Sequence, residues 1–222
     1  MAYKIGVVSQ KGGVGKSTIA RLIATQFAGF DDGSWLVKIA DMDVSQGTSF
    51  HWMQRRTASE IQPEIRVEGF TRVENAIADA EQFHVMVLDG APHSTADTLK
   101  IAQAADVIII PTGTALDDLE PSIRLAHELK GKGVPRGQIV FGLTRTGDSE
   151  AENQEAREYI QLAGYRVAEG SLPERIGYRR ASDTGLSAAE TPYKSLNDRA
   201  EQFFKSLMAQ LYDEQQAQEG AA

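Results

Sequence analysis

Residues 9–18 read Ser-Gln-Lys-Gly-Gly-Val-Gly-Lys-Ser-Thr, after an apolar run (Ile5, Gly6, Val7, Val8) and before a helix-like stretch from Lys16 to Phe27. No other feature restricts the available folds so severely. A strand that turns through glycines straight into a helix brings backbone N–H groups against an anion. The helix start adds its partial positive charge. The spacing therefore predicts a phosphate-binding loop. Gly12, Gly13, Val14 and Gly15 form the cradle, Lys16 reaches the β- and γ-phosphates, Ser17 offers its hydroxyl to Mg²⁺, and Thr18 completes the set.

The loop departs from the ordinary pattern at its mouth. Gln10 stands where a glycine is usual, and a second lysine, Lys11, follows at once. Backbone amides and Lys16 already serve the phosphates of their own subunit, so Lys11 makes more sense as a cation offered across a dimer. Lys-Gly-Gly-Val-Gly-Lys-Ser resembles the deviant Walker A motif of the ParA/MinD family of P-loop ATPases. Three further segments follow in that family's order. Leu36–Asp43 resembles the second strand with its Asp-x-Asp switch. Val85–Pro92 resembles the Walker B strand ending in Asp89, and Asp106–Asp118 the next strand and its proline turn. Weaker similarity runs through Gly142–Arg145 and Leu172–Arg175, so the resemblance covers most of the chain.

What the resemblance implies is an Mg²⁺-dependent ATPase that pairs into a nucleotide-sandwich dimer when ATP is bound. Lys11, Lys16 and Asp43 are then the catalytic group, with Asp43 orienting the attacking water. Ser17, Asp43 and Asp89 lie around the metal, and Thr144 and Pro173 join the loop in holding the nucleotide. Asp41 either assists the metal or simply ends its strand. Family members bind DNA without sequence preference, which directs attention to Arg175, Arg179 and Arg180. Dimerisation would double such a patch; the alternative is ordinary solvated arginines. A ParB-like or cargo-linked protein is the implied activator, in the cytoplasm and over the nucleoid, with a plasmid, a chromosome region or a protein cluster as cargo. Two departures stand out: Asp-Met-Asp-Val-Ser-Gln-Gly lacks the family's usual proline and carries one extra residue, and Thr144 replaces an asparagine that often meets adenine.

Composition removes several rivals. The chain has no cysteine, which excludes disulfides and the thiolate-held clusters of iron–sulfur relatives with a similar loop. A net charge of −8 argues against a generally positive surface, though not against a local patch. No run is apolar enough to cross a bilayer, and the first residues lead directly into strand-like sequence, leaving no room for a signal peptide. A MinD-like membrane helix is the main alternative, since Leu196, Phe203, Phe204, Leu207, Met208 and Leu211 repeat at helical spacing. The polar side of that stripe is mixed in charge and its continuation acidic, which favours a helix docked on the domain and no stable membrane association. A dethiobiotin synthetase-like enzyme lacks the Lys-Gly-Gly opening. Trp35 and Trp52 read as packing residues, Arg55 and Arg56 belong near the switch, and the four histidines have no metal-ligand spacing.

Alternating apolar runs and longer helix-like stretches predict a doubly wound α/β domain, a mostly parallel sheet with helices on both faces. Strands are predicted near 3–9, 35–40, 64–67, 84–89, 106–111, 138–144 and 165–168. Helices are predicted near 16–28, 46–58, 71–81, 95–104, 116–131, 149–163 and 194–213. One domain spans 1–212, and the acidic, Gln/Ala-rich 213–222 is expected to fray or be disordered.

Overall fold

The computed structural model describes residues 2–92 and 95–219, with side chains up to Gln210 and that of Thr95 excepted. Seven strands form one sheet: β1 (Tyr3–Val7), β2 (Val37–Asp41), β3 (Arg66–Gly69), β4 (Val85–Asp89), β5 (Val107–Thr112), β6 (Ile139–Thr146) and β7 (Arg166–Pro173). Their order is β3-β2-β4-β1-β5-β6-β7, and every neighbouring pair is parallel. Parallel neighbours need crossovers, which the helices supply. These are α1 (Lys16–Ala28), α2 (Thr48–Ala58), α3 (Val73–Ala80), α4 (Thr95–Ala104), α5 (Leu116–Gly131), α6 (Glu150–Leu162), α7 (Ile176–Asp183) and α8 (Lys194–Glu219).

The strand alternation sorts the core into two layers. Ile5, Val7, Val85, Val87, Val107 and Ile109 face one cluster with Leu22 of α1, Trp52 of α2, Tyr178 of α7 and Phe203 of α8. Met86, Leu88, Ile108 and Ile110 face the other, with Ala76 of α3, Ile101 of α4, Ile123 of α5 and Ile160 of α6. Burial on both faces explains why β4 and β5 read as unbroken apolar runs. Gly6 is required for this layering: a Cβ there would lie 2.7 Å from both Ile101 and Ile108.

Three elements differ from the sequence expectation. β7 runs to Pro173 rather than 168, because Glu169, Gly170 and Ser171 interrupt its apolar pattern where the β6–β7 register shifts. Gly170 sits there against the backbone of Phe203, with room for nothing larger. α7 has only Gly177, Tyr178 and Ala181 buried, too short a stripe to announce a helix. α8 continues to Glu219, past the 212 boundary, through Glu, Gln and Ala residues that favour helix; the rest of the tail, 220–222, lies outside the described residues. No helix among the described residues is long and apolar enough to cross a membrane.

Candidate nucleotide-binding site

A parallel sheet places the ends of all its strands on one edge, and the loops that follow them build the site. β1 ends at Val7 and the chain turns through Gly13 (φ 75) and Gly15 (φ 88) into α1 at Lys16. Both glycines occupy left-handed backbone that other residues rarely adopt. β6 ties the loop from beneath: Thr144 Oγ1 donates to the Val14 carbonyl at 2.7 Å. From outside, an Arg145 guanidinium N–H donates to the Gly13 carbonyl at 3.0 Å. Lys16 is buried, its Nζ donating to the Lys11 carbonyl at 3.3 Å. Burial pushes the Lys16 ammonium below the usual lysine range, while Asp89 and Asp43 pull it back up.

Two carboxylates face each other across the sheet, Asp41 and Asp89 being register partners on β2 and β4. Asp89 is buried and accepts hydrogen bonds from the hydroxyls of Ser17 and Ser49, the latter at 2.8 Å. Burial, and then the Asp41 charge, push its carboxyl up to about 6. Asp41 is raised too, chiefly by burial. It accepts from the backbone N–H of Asp43 (3.1 Å), Ser49 (2.9 Å) and Phe50 (3.2 Å). Asp41 therefore anchors the start of α2, where the helix dipole and free N–H groups favour an anion.

Asp43 turns into its own loop: its carboxylate accepts from Ser45 Oγ at 2.8 Å and the Gln46 N–H at 3.3 Å. The backbone closes behind it through Gly47 (φ 55), whose N–H and that of Gln46 both donate to the Asp43 carbonyl. Lys11 points away from the loop. Its ammonium pairs with Asp118 and donates to the Asp117 carbonyl at 3.4 Å, both at the start of α5, and its side chain stays 46% exposed.

A cavity of about 940 Å³ opens between these parts, lined by Gly12, Gly13, Gly15, Lys16, Ser17 and Thr18 on one side and Met42, Asp43, Gln46 and Asp89 on the other. Thr144 and Pro173 lie outside this lining: Thr144 is buried with its hydroxyl spent on the loop, and Pro173 ends β7. Val14 is buried beneath the loop and Lys11 stands on the rim. A buried Lys16 against buried, destabilised carboxylates beside a serine hydroxyl is the donor set that Mg²⁺ and a polyphosphate need.

Sequence reasoning missed two residues. Arg145 holds a left-handed backbone (φ 53) at the cavity mouth, a conformation its residue type does not advertise. Arg21 of α1 is buried in the cavity wall, where its guanidinium donates to Ser182 Oγ at 2.8 Å and to the Thr48 carbonyl at 2.6 Å. Burial brings Arg21 down to about 10. Around it α2 is locked to the last turn of α7 and the segment that follows. Trp52 Nε1 donates to the Leu186 carbonyl at 3.0 Å, Arg55 to the Ser182 carbonyl at 3.3 Å, and Arg56 pairs with Glu190 through two 2.8 Å bonds.

The three predicted arginines gather at α7, outside the lining of the nucleotide cavity: Arg175 precedes the helix and Arg179 and Arg180 lie on it. Arg175 pairs with Asp148 and Arg179 lies 3.9 Å from Glu174, while Arg180 is exposed. Tyr178 turns inward, its hydroxyl donating to the Leu196 carbonyl at 2.9 Å. Among the described residues no cluster of His, Cys, Asp or Glu has metal-centre geometry of its own.

Fold and loop together define a P-loop nucleotide-binding protein. Residues 5–188 match the CobQ/CobB/MinD/ParA nucleotide-binding domain. The chain belongs to this family, with the ParA/MinD-type ATPase fold. Its structure is similar to apo McdA of Cyanothece (TM-score 0.70, 18% identity, 93% of this chain and 100% of that one). It is equally similar to a plasmid partition protein assigned from Borrelia burgdorferi B31 bound to AMPPNP (0.70, 17%, 96% and 100%). The septum site-determining protein MinD of Pyrococcus horikoshii OT3, complexed with Mg-ADP, matches with 0.70, 16%, 93% and 95%. At such identities these likenesses establish the fold alone. No curated protein matches the chain in sequence.

Proposed function

We propose that this protein is a ParA-type positioning ATPase. Two copies pair around ATP and Mg²⁺, hold DNA without sequence preference, and part after a hydrolysis stimulated by a ParB-like or cargo-linked protein. The observation that carries this reading is the position of Lys11. It stands half-exposed on the rim, outside the lining of the cavity that Lys16 serves, held by surface contacts with Asp118 and the Asp117 carbonyl. A cation so placed is available to a second subunit at little cost, since surface ion pairs contribute only about 0–1 kcal/mol.

Held by Ser17 and Asp89, Mg²⁺ would supply charge neutralisation to the β/γ-phosphate oxygens. The chain's own residues do the rest. Gly13, Gly15 and the start of α1 aim N–H groups at the phosphates, and Lys16 adds positive charge where negative charge develops. Asp43 orients water once its carboxylate leaves Ser45 and Gln46. That rearrangement accounts for slow basal turnover and gives an activator something to do. Arg175, Arg179 and Arg180 supply phosphate contacts after releasing Asp148 and Glu174. The description of the Borrelia neighbour as a partition protein agrees with this role. Membrane attachment through α8 fits less well, because Phe203, Phe204, Leu207 and Met208 are buried in the domain. A cytoplasmic location, over the nucleoid when ATP is bound, completes the proposal; plasmid, chromosome region and protein cluster remain its three candidate cargoes.

Gel-shift and sedimentation measurements with ADP, then with a slowly hydrolysed ATP analogue, at two salt concentrations test it. The expected result is dimers and salt-sensitive DNA retention with the triphosphate only. Triphosphate-loaded monomers that retain no DNA would overturn it, and liposome binding in their place would favour the MinD-like alternative.

A further inference from the structure

The opposite edge of the sheet carries a second prepared surface. The last turn of α1 carries Phe27 there, Phe30 follows the helix, and β2 is preceded by Trp35 and Leu36. Phe27 is buried and stacks on Trp35 (5.8 Å, 15°), and Phe30 packs edge-on against both. Phe204 of α8 braces Phe27 and Phe30 from behind. Yet Phe30, Trp35 and Leu36 remain 42%, 36% and 48% exposed. Trp35 packs as the sequence reading expects, against Phe27, Phe30 and His84, yet part of its ring stays at the surface. Contiguous exposed apolar side chains fixed from behind mark an interaction site, because little side-chain freedom remains to be lost on binding.

Beside this patch lies a cavity of about 550 Å³. Trp35, Leu36, Pro63 and Phe83 give it apolar walls, and its polar groups are chiefly Asp32, Glu64 and Arg66. Asp32 and Glu64 are both exposed and form no ion pair among the described residues. Asp31 adds a third carboxylate at the edge. Arg66 is turned over the Phe83 ring at 5.9 Å. The turn that presents the aspartates runs through three successive left-handed residues, and Asp31 (φ 50) and Asp32 (φ 53) bear a cost there that Gly33 (φ 84) does not. Strain of this kind persists where a surface is used.

From this geometry we infer that the Phe30–Trp35–Leu36 patch and its acidic-rimmed cavity dock a partner polypeptide. That partner presents an aromatic or aliphatic anchor flanked by lysine or arginine. The anchor fills the cavity beside the exposed part of Trp35, and the cations meet Asp31, Asp32 and Glu64. Charge decides against other occupants. DNA and anionic lipid are repelled by the carboxylates. The chain's own tail carries Asp213, Glu214 and Glu219, and a second copy brings a net charge of −8. The surface lies at the amino ends of β2 and β4, away from the phosphate loop, so docking is independent of nucleotide and of the function proposed above.

A capped hexapeptide, Lys-Lys-Phe-Leu-Lys-Lys, is the probe, titrated by calorimetry and by tryptophan fluorescence. Trp52 is fully buried, so the fluorescence change reports Trp35. Saturable one-to-one binding is expected with or without an ATP analogue, and none with Glu-Glu-Phe-Leu-Glu-Glu. Asp32→Asn/Glu64→Gln, both on the surface, should weaken binding about tenfold. Trp35→Ala should remove it, and both variants should bind nucleotide like the parent. No saturable binding, equal binding of the acidic peptide, or an unaffected double variant would overturn the inference. So would self-association that Trp35→Ala abolishes, which would assign the surface to a second copy. Nucleotide affinity measured in the same samples separates this outcome from failure of the ATPase reading.

Discussion

Lys16 and Lys11 are neighbours in one loop and inhabit different chemistry. Lys16 is buried, within electrostatic reach of Asp89 and Asp43, and donates to the Lys11 carbonyl of its own loop. Lys11 is half exposed and paired with Asp118 on α5. The same division runs through the whole site. Floor groups (Lys16, Asp41, Asp89, Ser49) are satisfied by partners that the backbone holds still. Rim groups (Lys11, Asp43, Arg175, Arg179) are engaged with surface acids or with their own loop. A floor of this kind is built before ligand arrives, whereas the rim must trade partners to work. Binding belongs to the floor and switching to the rim.

Breaking the floor should cost most. Lys16→Gln is expected to lower ATP turnover about 10³-fold, measured as phosphate release, because a buried positive charge is lost where charge develops. Next comes Gly185→Ala, at the joint between α2 and the segment after α7. Its φ of 84 and a Cβ only 2.4 Å from the Arg56 nitrogen predict a loss of about 2–3 kcal/mol in urea unfolding.

The floor also has a pH signature. Asp89 titrates near 6 in the folded protein against an ordinary value of 3.8, so the native state holds more protons between those values. Nucleotide-free protein should therefore melt higher on the acid side and lose stability as pH rises through about 6. Asp89→Asn should flatten that slope in thermal melts, leaving the contribution of Asp41, which shifts the same way.

Rim changes should be gentler and opposite in kind. Asp118→Asn frees Lys11 and should tighten the triphosphate-dependent dimer about threefold to fivefold by sedimentation, as expected for a surface pair. Arg179→Gln should weaken DNA binding slightly and reduce the salt slope by about one. Asp118→Asn or Arg179→Gln matching Lys16→Gln in severity would erase the difference between floor and rim.

Much of this was legible in the sequence, for a physical reason. α1 begins and ends where its glycines and apolar spacing place it, and both-face burial makes β4 and β5 plain. What escaped depends on contacts distant along the chain. The sequence leaves Asp41 open between metal and strand end, because the α2 N–H groups that bond it come eight and nine residues later. The Lys11–Asp118 pairing joins side chains from two separate loops, and the hydroxyl of Thr144 turned out to support the loop from below. Arg21 reads as one more polar residue on α1 until Thr48 and Ser182 close around it.

α2 carries Ser49 on Asp89 at one end and Arg55 and Arg56 on the 182–190 segment at the other. A short stiff helix fastened at both ends behaves as a connecting rod. A tug on Ser49 as the contents of the pocket change would arrive at the end of α7, where Ser182 and Gly185 meet Arg55 and Arg56.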